Sequence, residues 1–197
     1  MQEFSICAVS GINILIALIY CRQLIKKQIK PALAMWVFFS IAVAMSLITY
    51  LKNDDYNFLD NILNTTDLIL VITVSIAIAI FGDKSTKFNH FDLGCLTAVA
   101  AIVIFWIITQ QHWITNILIQ LILIIAYFPV VRRMLSANKN TEPFSVWILL
   151  MIAPAISLLS SKGILASIYA FRAIACTGLL LALMIRIEIM VKKKQKI

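Results

Sequence analysis

The sequence predicts an all-α polytopic membrane protein with seven transmembrane helices. Of its 197 residues, 62% are hydrophobic and 13% are charged, whereas a soluble domain averages about 45–50% apolar and about 25% charged residues. A soluble fold of this length could not bury so much apolar surface. The composition therefore excludes a soluble enzyme, a disordered chain and a disulfide scaffold. The four cysteines lie singly in or beside apolar runs, and we interpret them as packing residues.

Seven apolar runs alternate with turn-like or charged breaks. Each run is long enough to cross a bilayer, which takes roughly 20 helical residues, although the sixth is at the short end. The alternating pattern of a transmembrane β-barrel does not occur, so helices are predicted. The runs cover residues 4–21, 32–51, 58–81, 91–109, 112–131, 144–161 and 163–186.

The positive charges predict the orientation of these helices. Fourteen of the 17 Lys and Arg residues fall in the first, third and fifth breaks and the C-terminal tail. Lys52 and Lys162 are the cations in the alternate breaks, and Arg172 lies inside the last run. Because cytoplasmic loops carry an excess of Lys and Arg, we expect an external N-terminus and a cytoplasmic C-terminus. The first run has no cationic segment before it and is predicted to be a retained helix rather than a signal peptide.

The first and fifth runs resemble each other at an offset of 107 residues. In each, an amide residue is followed seven positions later by a tyrosine, then by a basic loop, a proline and a tryptophan that opens the next helix. The matched pairs are Asn13 with Gln120, Tyr20 with Tyr127, and Trp36 with Trp147. Both runs cross the membrane in the same direction, so the repeat is parallel and needs a single helix as connector.

This repeat predicts two parallel three-helix bundles joined by a linker helix, a 3+1+3 arrangement. The first three-helix unit would cover residues 1–81 and the linker helix 82–110. The second three-helix unit would cover 111–191, leaving 192–197 as a basic cytoplasmic tail. We interpret that tail as a topology anchor that contacts anionic lipid rather than nucleic acid.

The plan resembles the PQ-loop superfamily, which includes the SWEET sugar transporters, the lysosomal amino-acid exporters and the KDEL receptors. Its members carry a Pro-Gln pair at the inner end of the first helix of each unit. Here Pro129 is followed by Val130 in the second unit, and Gln23 is preceded by Arg22 in the first. The segment AYFPVVRRMLSANKNTEPFSVW is most similar to bacterial proteins of this group. The resemblance implies a multi-pass protein of a bacterial inner membrane.

Asp67 in the third run and Arg172 in the seventh are the ionisable residues well inside apolar runs. A charge within the membrane is a functional candidate, since leaving it unpaired is expensive. In SWEET-like proteins the corresponding helices face each other across a central cavity, which implies that Asp67 and Arg172 lie close together. They would form an ion pair or bind a substrate with opposite charges. A purely structural pair, or an Asp67 that meets water near the outer surface, is the alternative.

Further polar residues share helix faces with these charges. Membrane-embedded amides must find partners, so a cavity and helix–helix hydrogen bonding are the alternatives. Pro129 and Pro154 are predicted as hinges, although membrane helices also tolerate proline. The predicted substrate-binding residues are Asn13, Asn64, Asp67, Gln120, Tyr127, Tyr169 and Arg172.

These features predict a small-metabolite transporter that works by alternating access on a small polar or zwitterionic solute. The alternative is a non-transporting membrane receptor, or an assembly or scaffold protein of the same fold. The expected partners are the lipid bilayer, the solute and a possible second copy in a homo-oligomer, without nucleic acid. No enzyme activity, cofactor or metal is expected, because the runs hold no Ser/His dyad or paired aspartates and His90 and His112 lie at opposite faces.

Overall fold

The computed structural model describes residues 1–29, 31, 33–82, 90–136, 140 and 144–194, and all regular secondary structure in this part is helical. A short 3-10 helix, Phe58–Asn61, precedes the third α-helix. The α-helices are α1 (Gln2–Ile25), α2 (Leu33–Asn53), α3 (Ile62–Phe81), α4 (His90–Thr109), α5 (His112–Ile125), α6 (Phe128–Ser136), α7 (Phe144–Ser157) and α8 (Gly163–Lys194).

Among the described residues, six helical segments are long and apolar enough to cross a membrane, with α5 and α6 together counted as one segment. They correspond to six of the seven predicted runs. The sixth run, predicted at 144–161, forms the 14-residue helix α7, whose length is about 21 Å at 1.5 Å per residue. The breaks at 83–89, 137–139 and 141–143 and the end of the basic tail at 195–197 lie outside the described residues.

The predicted fifth run is not one continuous helix. The chain leaves the α-helix at Ala126–Tyr127, where the backbone N–H of Tyr127 donates to Ile124 O over 3.0 Å. Pro129 follows in the first turn of α6 and has no N–H to donate to the carbonyl of Ile125. A missing donor at this position ends the helical ladder and lets the chain restart as α6.

The helices pack as a closed ring. In the order α1, α3, α2, α5, α8 and α7, each helix packs against the next, and α7 returns to α1. The helix α6 continues α5 against α8, and α4 packs against α5 and α2. Between α1–α3 and the helices that follow α4, the largest contacts are those of α1 with α7 and of α2 with α5, and α3 also contacts α7 and α8.

Large apolar side chains remain exposed on the outer faces of these helices. On α4, Ile104, Ile107 and Ile108 are each more than half exposed. Continuous exposed apolar surface marks contact with a membrane or a partner, and the helix lengths indicate the membrane. The chain is therefore an integral multi-pass membrane protein.

The two ends of the ring differ in sequence. The basic end is where α1 ends and α2 begins, beside Lys26 and Lys27. The Asp60 end is where α2 leads into α3 and α7 leads into α8.

A candidate substrate cavity

A cavity of about 570 Å³ lies inside the helix ring. Its size is within the roughly 300–1,000 Å³ range of small-molecule sites. Residues of α1, α2, α3, α5, α7 and α8 line it. At the basic end the cavity reaches Gln23 and Gln28, and because Gln28 is exposed, the cavity is open to the surface there.

The deep end of the cavity contains a hydrogen-bonded carboxylate. Asn13 Nδ2 donates to Asp67 Oδ1 over 2.9 Å, and Tyr169 Oη donates to Asp67 Oδ2 over 2.9 Å. Asp67 as a residue is partly exposed and lines the cavity. Each carboxylate oxygen can accept more than one hydrogen bond, so Asp67 retains acceptor capacity toward the cavity.

The orientation of the Asn13 amide follows from its two acceptors. Its Nδ2 also donates to Thr66 Oγ1 over 2.7 Å, and the Thr66 hydroxyl itself donates to Ile62 O. The nitrogen therefore faces both acceptors, and Asn13 Oδ1 is buried without a hydrogen-bond partner among the described residues. A buried acceptor left in this way costs about 1–3 kcal/mol.

Arg172 lies beside Asp67, and Tyr169 lies between their charged groups. Arg172 Nε donates to Gln120 Oε1 over 2.8 Å, and its Cζ is 4.6 Å from the centroid of the Tyr169 ring. Gln120 and Tyr169 are neutral, and the Tyr169 phenol contacts both Asp67 and Arg172. The sequence left open whether the two charges pair directly or bind a substrate between them. The guanidinium has five N–H donors, and Arg172 lines the cavity.

An aromatic cluster surrounds the cavity toward the basic end. Tyr20 and Trp36 have ring centroids 4.9 Å apart, and Tyr127 and Trp147 have centroids 6.4 Å apart. Phe39 packs edge-on against Tyr127 at 6.3 Å. All five rings line the cavity. The two Tyr–Trp pairs are the residues matched by the sequence repeat, so the repeat reappears as a repeated contact.

The Asp60 end is closed by a latch of Tyr50, Asp60 and Lys162. Lys162 Nζ is 2.6 Å from Asp60 Oδ1 and the Lys162 backbone N–H donates to Asp60 O over 2.9 Å. Tyr50 Oη donates to Lys162 O over 2.9 Å. These contacts fasten the α7–α8 connection to α2 and to the 3-10 helix. Asp60 is held in turn by the backbone N–H of Asn57, which donates to Asp60 Oδ2 over 3.0 Å.

Other contacts close the same end between the halves of the chain. Ser5 Oγ in α1 donates to Ile156 O in α7 over 2.9 Å. Asn116 Nδ2 in α5 donates to Ser46 O and to Thr49 Oγ1 in α2, over 2.8 and 3.0 Å. All of these groups belong to buried or partly buried contacts, and none of them lines the cavity.

Two predicted substrate-binding residues lie behind the cavity wall. Gln120 Nε2 donates to Ser46 Oγ over 2.9 Å while its Oε1 accepts from Arg172. The Asn64 amide is also 2.9 Å from Ser46 Oγ, so Ser46 joins α3 to α5. Asn64 and Gln120 connect helices through Ser46, and Gln120 also orients Arg172. The predicted site residues that line the cavity are Asn13, Asp67, Tyr127, Tyr169 and Arg172.

The predicted hinge prolines occupy different places. Pro129 is in the first helical turn of α6, directly after the helix break. Pro154 is buried inside α7 and lines the cavity; it has no N–H for the carbonyl of Leu150, one turn earlier. Both positions interrupt a helical ladder beside the cavity.

Sequence analysis did not assign Trp36 and Trp147 to the site. Tryptophans near helix ends are typical of the membrane interface, and Trp113, which is exposed, fits that pattern. The sequence repeat could have distinguished Trp36 and Trp147 from interfacial tryptophans, because they are the two tryptophans that occupy matched positions in the repeat. Among the described residues, no group of three or more His, Cys, Asp or Glu side chains could hold a metal ion.

No protein-family model, curated protein or solved structure matches this chain. The class of protein is defined by its own features: long apolar helices form a closed ring around a cavity that contains Asp67 and Arg172 among largely apolar walls and opens at one end.

Proposed function

We propose that this protein is a membrane transporter that moves a small polar or zwitterionic solute by alternating access. The observation that carries the proposal is the cavity inside the helix ring. It is open at the basic end, closed at the Asp60 end, and holds Asp67, Tyr169 and Arg172 at its closed end. One half of an alternating-access cycle would have this geometry.

The arrangement of helices supports the two-unit plan predicted from the sequence. The helices α1, α2 and α3 would form the first unit, α4 the linker, and α5 to α8 the second. The contacts of α1 with α7 and of α2 with α5 are equivalent under exchange of the units. A pair of equivalent interfaces allows the units to rock and close one end as the other opens. The resemblance to the PQ-loop superfamily leads to the same proposal.

In the proposed second state, the latch separates and the aromatic cluster closes the basic end. The latch is built from one ion pair and two hydrogen bonds, and Lys162 is half-exposed. Because one partner of the ion pair reaches solvent, separation of the latch would let Lys162 become hydrated, although Asp60 is buried. The aromatic rings already lie across the cavity from each other, with Phe39 and Tyr127 linking the two halves.

The proposed orientation places the basic end in the cytoplasm of a bacterial cell and the Asp60 end outside. It rests on the distribution of Lys and Arg in the sequence. The cavity would then open to the cytoplasm in the described state.

The test uses single cysteines in a chain whose four native cysteines are replaced by serine or alanine. Leu150 lines the cavity and is partly exposed, whereas Ile152, on the same helix, is exposed but does not line it. A charged thiol reagent should label Leu150→Cys from the side of the basic end, and Ile152→Cys should stay unreactive in lipid. Weakening the latch with Lys162→Met should add labelling of Leu150→Cys from the opposite side.

Access from one side alone, in both the parent and the Lys162→Met chain, would contradict alternating access. It would favour the non-transporting receptor. An unreactive Leu150→Cys from either side would contradict the cavity itself.

A further inference from the structure

We infer that the cavity takes an amphipathic zwitterion, head first: a molecule with adjacent ammonium and carboxylate groups and one large apolar body, such as a neutral α-amino acid with an aromatic or branched side chain. This deepens the proposed function, on which it rests, by naming the substrate class. The observation behind it is the order of chemistry along the cavity, from charged residues to aliphatic and then aromatic walls.

The charged groups at the closed end match a zwitterionic head. Asp67 is a partly exposed residue that lines the cavity, and its carboxylate keeps acceptor capacity, which suits an ammonium group. Arg172 uses Nε for Gln120, and a guanidinium presents paired N–H donors that match a carboxylate. Tyr169 separates the two charges, with its hydroxyl on Asp67 and its ring under Arg172. A ligand with both charges can therefore bind both side chains without forcing them together.

The walls beyond the charged residues are aliphatic. A sugar carries hydroxyl groups around its whole surface, and these would lack partners against such walls. Each unpaired polar group costs about 1–3 kcal/mol, whereas burying an apolar body gains roughly 25 cal/mol per Å². The aliphatic wall residues include Ile16, Leu70, Val74, Leu123, Val146 and Leu150.

The aromatic cluster is suited to the far end of such a body. Trp36 and Trp147 line the cavity from opposite halves of the chain, and aromatic rings contact apolar and aromatic groups favourably. Asp92 also reaches the wall, but it lies in the first turn of α4, where the helix N-terminus compensates a negative charge. A second ammonium on the ligand therefore has no dedicated partner in the described cavity.

The experiment measures binding to the full chain in detergent, by thermal shift and by tryptophan fluorescence. The probes are L-phenylalanine, phenethylamine without the carboxylate, 3-phenylpropanoate without the ammonium, L-serine without the apolar body, L-lysine and D-glucose. L-Phenylalanine should bind at least ten-fold tighter than each of the others. The fluorescence response should fall with Trp36→Phe or Trp147→Phe and be lost when both are replaced, since both line the cavity. It should be kept with Trp113→Phe, since Trp113 is exposed on the outside.

Two variants assign the ends of the ligand. Arg172→Gln should weaken L-phenylalanine and 3-phenylpropanoate about ten-fold or more and leave phenethylamine unchanged. Asp67→Asn should weaken L-phenylalanine and phenethylamine and leave 3-phenylpropanoate unchanged. Arg172→Lys keeps the positive charge but loses the paired donors. It should weaken L-phenylalanine and 3-phenylpropanoate, less than Arg172→Gln does, and leave phenethylamine unchanged, which provides a readout if Arg172→Gln does not fold.

Equal or tighter binding of L-serine, D-glucose or L-lysine overturns the inference, as does an equal loss for all probes in either variant, or no binding of L-phenylalanine. The outcomes also separate this inference from transport. If D-glucose binds and the cavity alternates in the cysteine test, the transporter stands and the substrate class is wrong. If L-phenylalanine binds and access stays one-sided, the substrate class stands and the protein is a receptor.

Discussion

Asn13 and Gln120 make equivalent contacts in the two halves of the chain. Asn13 in α1 donates to Asp67 in α3, and Gln120 in α5 accepts from Arg172 in α8. Each amide thus holds the charged residue of the helix that ends its own half. The amide can donate to a carboxylate or accept from a guanidinium, so one structural position serves opposite charges.

Tyr169 should couple energetically to Asp67. Removing its hydroxyl with Tyr169→Phe should lower the free energy of unfolding by about 1.5–3 kcal/mol, the usual range for a hydrogen bond to a charged group. In the Asp67→Asn background the same change should cost about 1 kcal/mol less, because the bond is already weakened. Unfolding in a detergent titration measures both.

The matched control for this cycle is Tyr56→Phe, at the Asp60 end, where Tyr56 stacks on Tyr50. Its effect should add to that of Asp67→Asn. Coupling between Asp67 and Arg172 should be smaller than between Asp67 and Tyr169, since the phenol lies between the charges. Additive effects for Asp67 and Tyr169 would show that the bond contributes nothing.

Gln120→Leu should destabilise the protein although leucine is favourable in a membrane helix. The change leaves Arg172 Nε without its buried partner and removes one of the two amides that contact the Ser46 hydroxyl. We expect a loss of about 2–3 kcal/mol in the free energy of unfolding. Gln2→Leu, at an exposed position of α1, should change it by less than about 0.5 kcal/mol. A stable Gln120→Leu protein would mean that Arg172 finds another partner.

Gly163→Ala should lower the free energy of unfolding and Gly178→Ala should raise it, although both residues are in α8. Gly163 has a φ of +75°, and a Cβ there would overlap the hydroxyl of Tyr56. Left-handed backbone costs alanine about 1–2 kcal/mol, and the overlap adds to it. At Gly178 a Cβ meets nothing within 4 Å, so alanine should stabilise the helix by about 0.5–1 kcal/mol.

The Tyr56→Ala change separates the two causes at Gly163. In the Tyr56→Ala background, Gly163→Ala should lose only the stability due to the left-handed backbone, because the overlap with the Tyr56 ring is gone. Thermal unfolding of the parent, the two single variants and the double variant measures this. Equal effects at both glycines would contradict the turn geometry at the start of α8.

Lys162→Met should lower the free energy of unfolding by about 1 kcal/mol, because Asp60 is buried and loses its ion pair while Lys162 is half-exposed. The difference from the parent should shrink in 1 M salt, which screens an exposed pair. Lys52→Met, an exposed lysine at the end of α2 on the same side, serves as control and should have little effect. A salt-independent difference would argue against an ionic latch.

A reporter fused after Ile197 should be cytoplasmic. So should one inserted in the connection between Ser136 and Phe144. One inserted between Lys52 and Asn57 should be external, because Lys and Arg concentrate on the cytoplasmic side. Activity of a compartment-specific reporter measures each position. A cytoplasmic signal from the Lys52–Asn57 position would reverse the orientation and place the open end of the cavity outside.

Hydropathy was sufficient to predict most helices, since each run must satisfy its own backbone hydrogen bonds in lipid. It predicted α1, α2, α3 and α4 within a few residues, and it predicted the start of α8 but not its end, since α8 continues beyond residue 186 to Lys194. It did not predict the break at Ala126–Tyr127, because the effect of Pro129 depends on a missing bond one turn away. It also overestimated α7, whose last apolar residues form a turn after Ser157.

Some features of the candidate site also follow from the sequence, and others follow only from the tertiary structure. The sequence determined that Asp67 and Arg172 are embedded in apolar helices and that Asn13 and Gln120 occupy matched positions, because charge and spacing are properties of the chain itself. Only the tertiary structure decided that Tyr169 lies between the charges, that Asn64 and Gln120 stand behind the wall, and that Trp36 and Trp147 enter the cavity. Helix faces, cavity walls and the closed end depend on which helices pair, and that pairing is set by contacts between residues distant in the sequence, such as Tyr50 and Lys162.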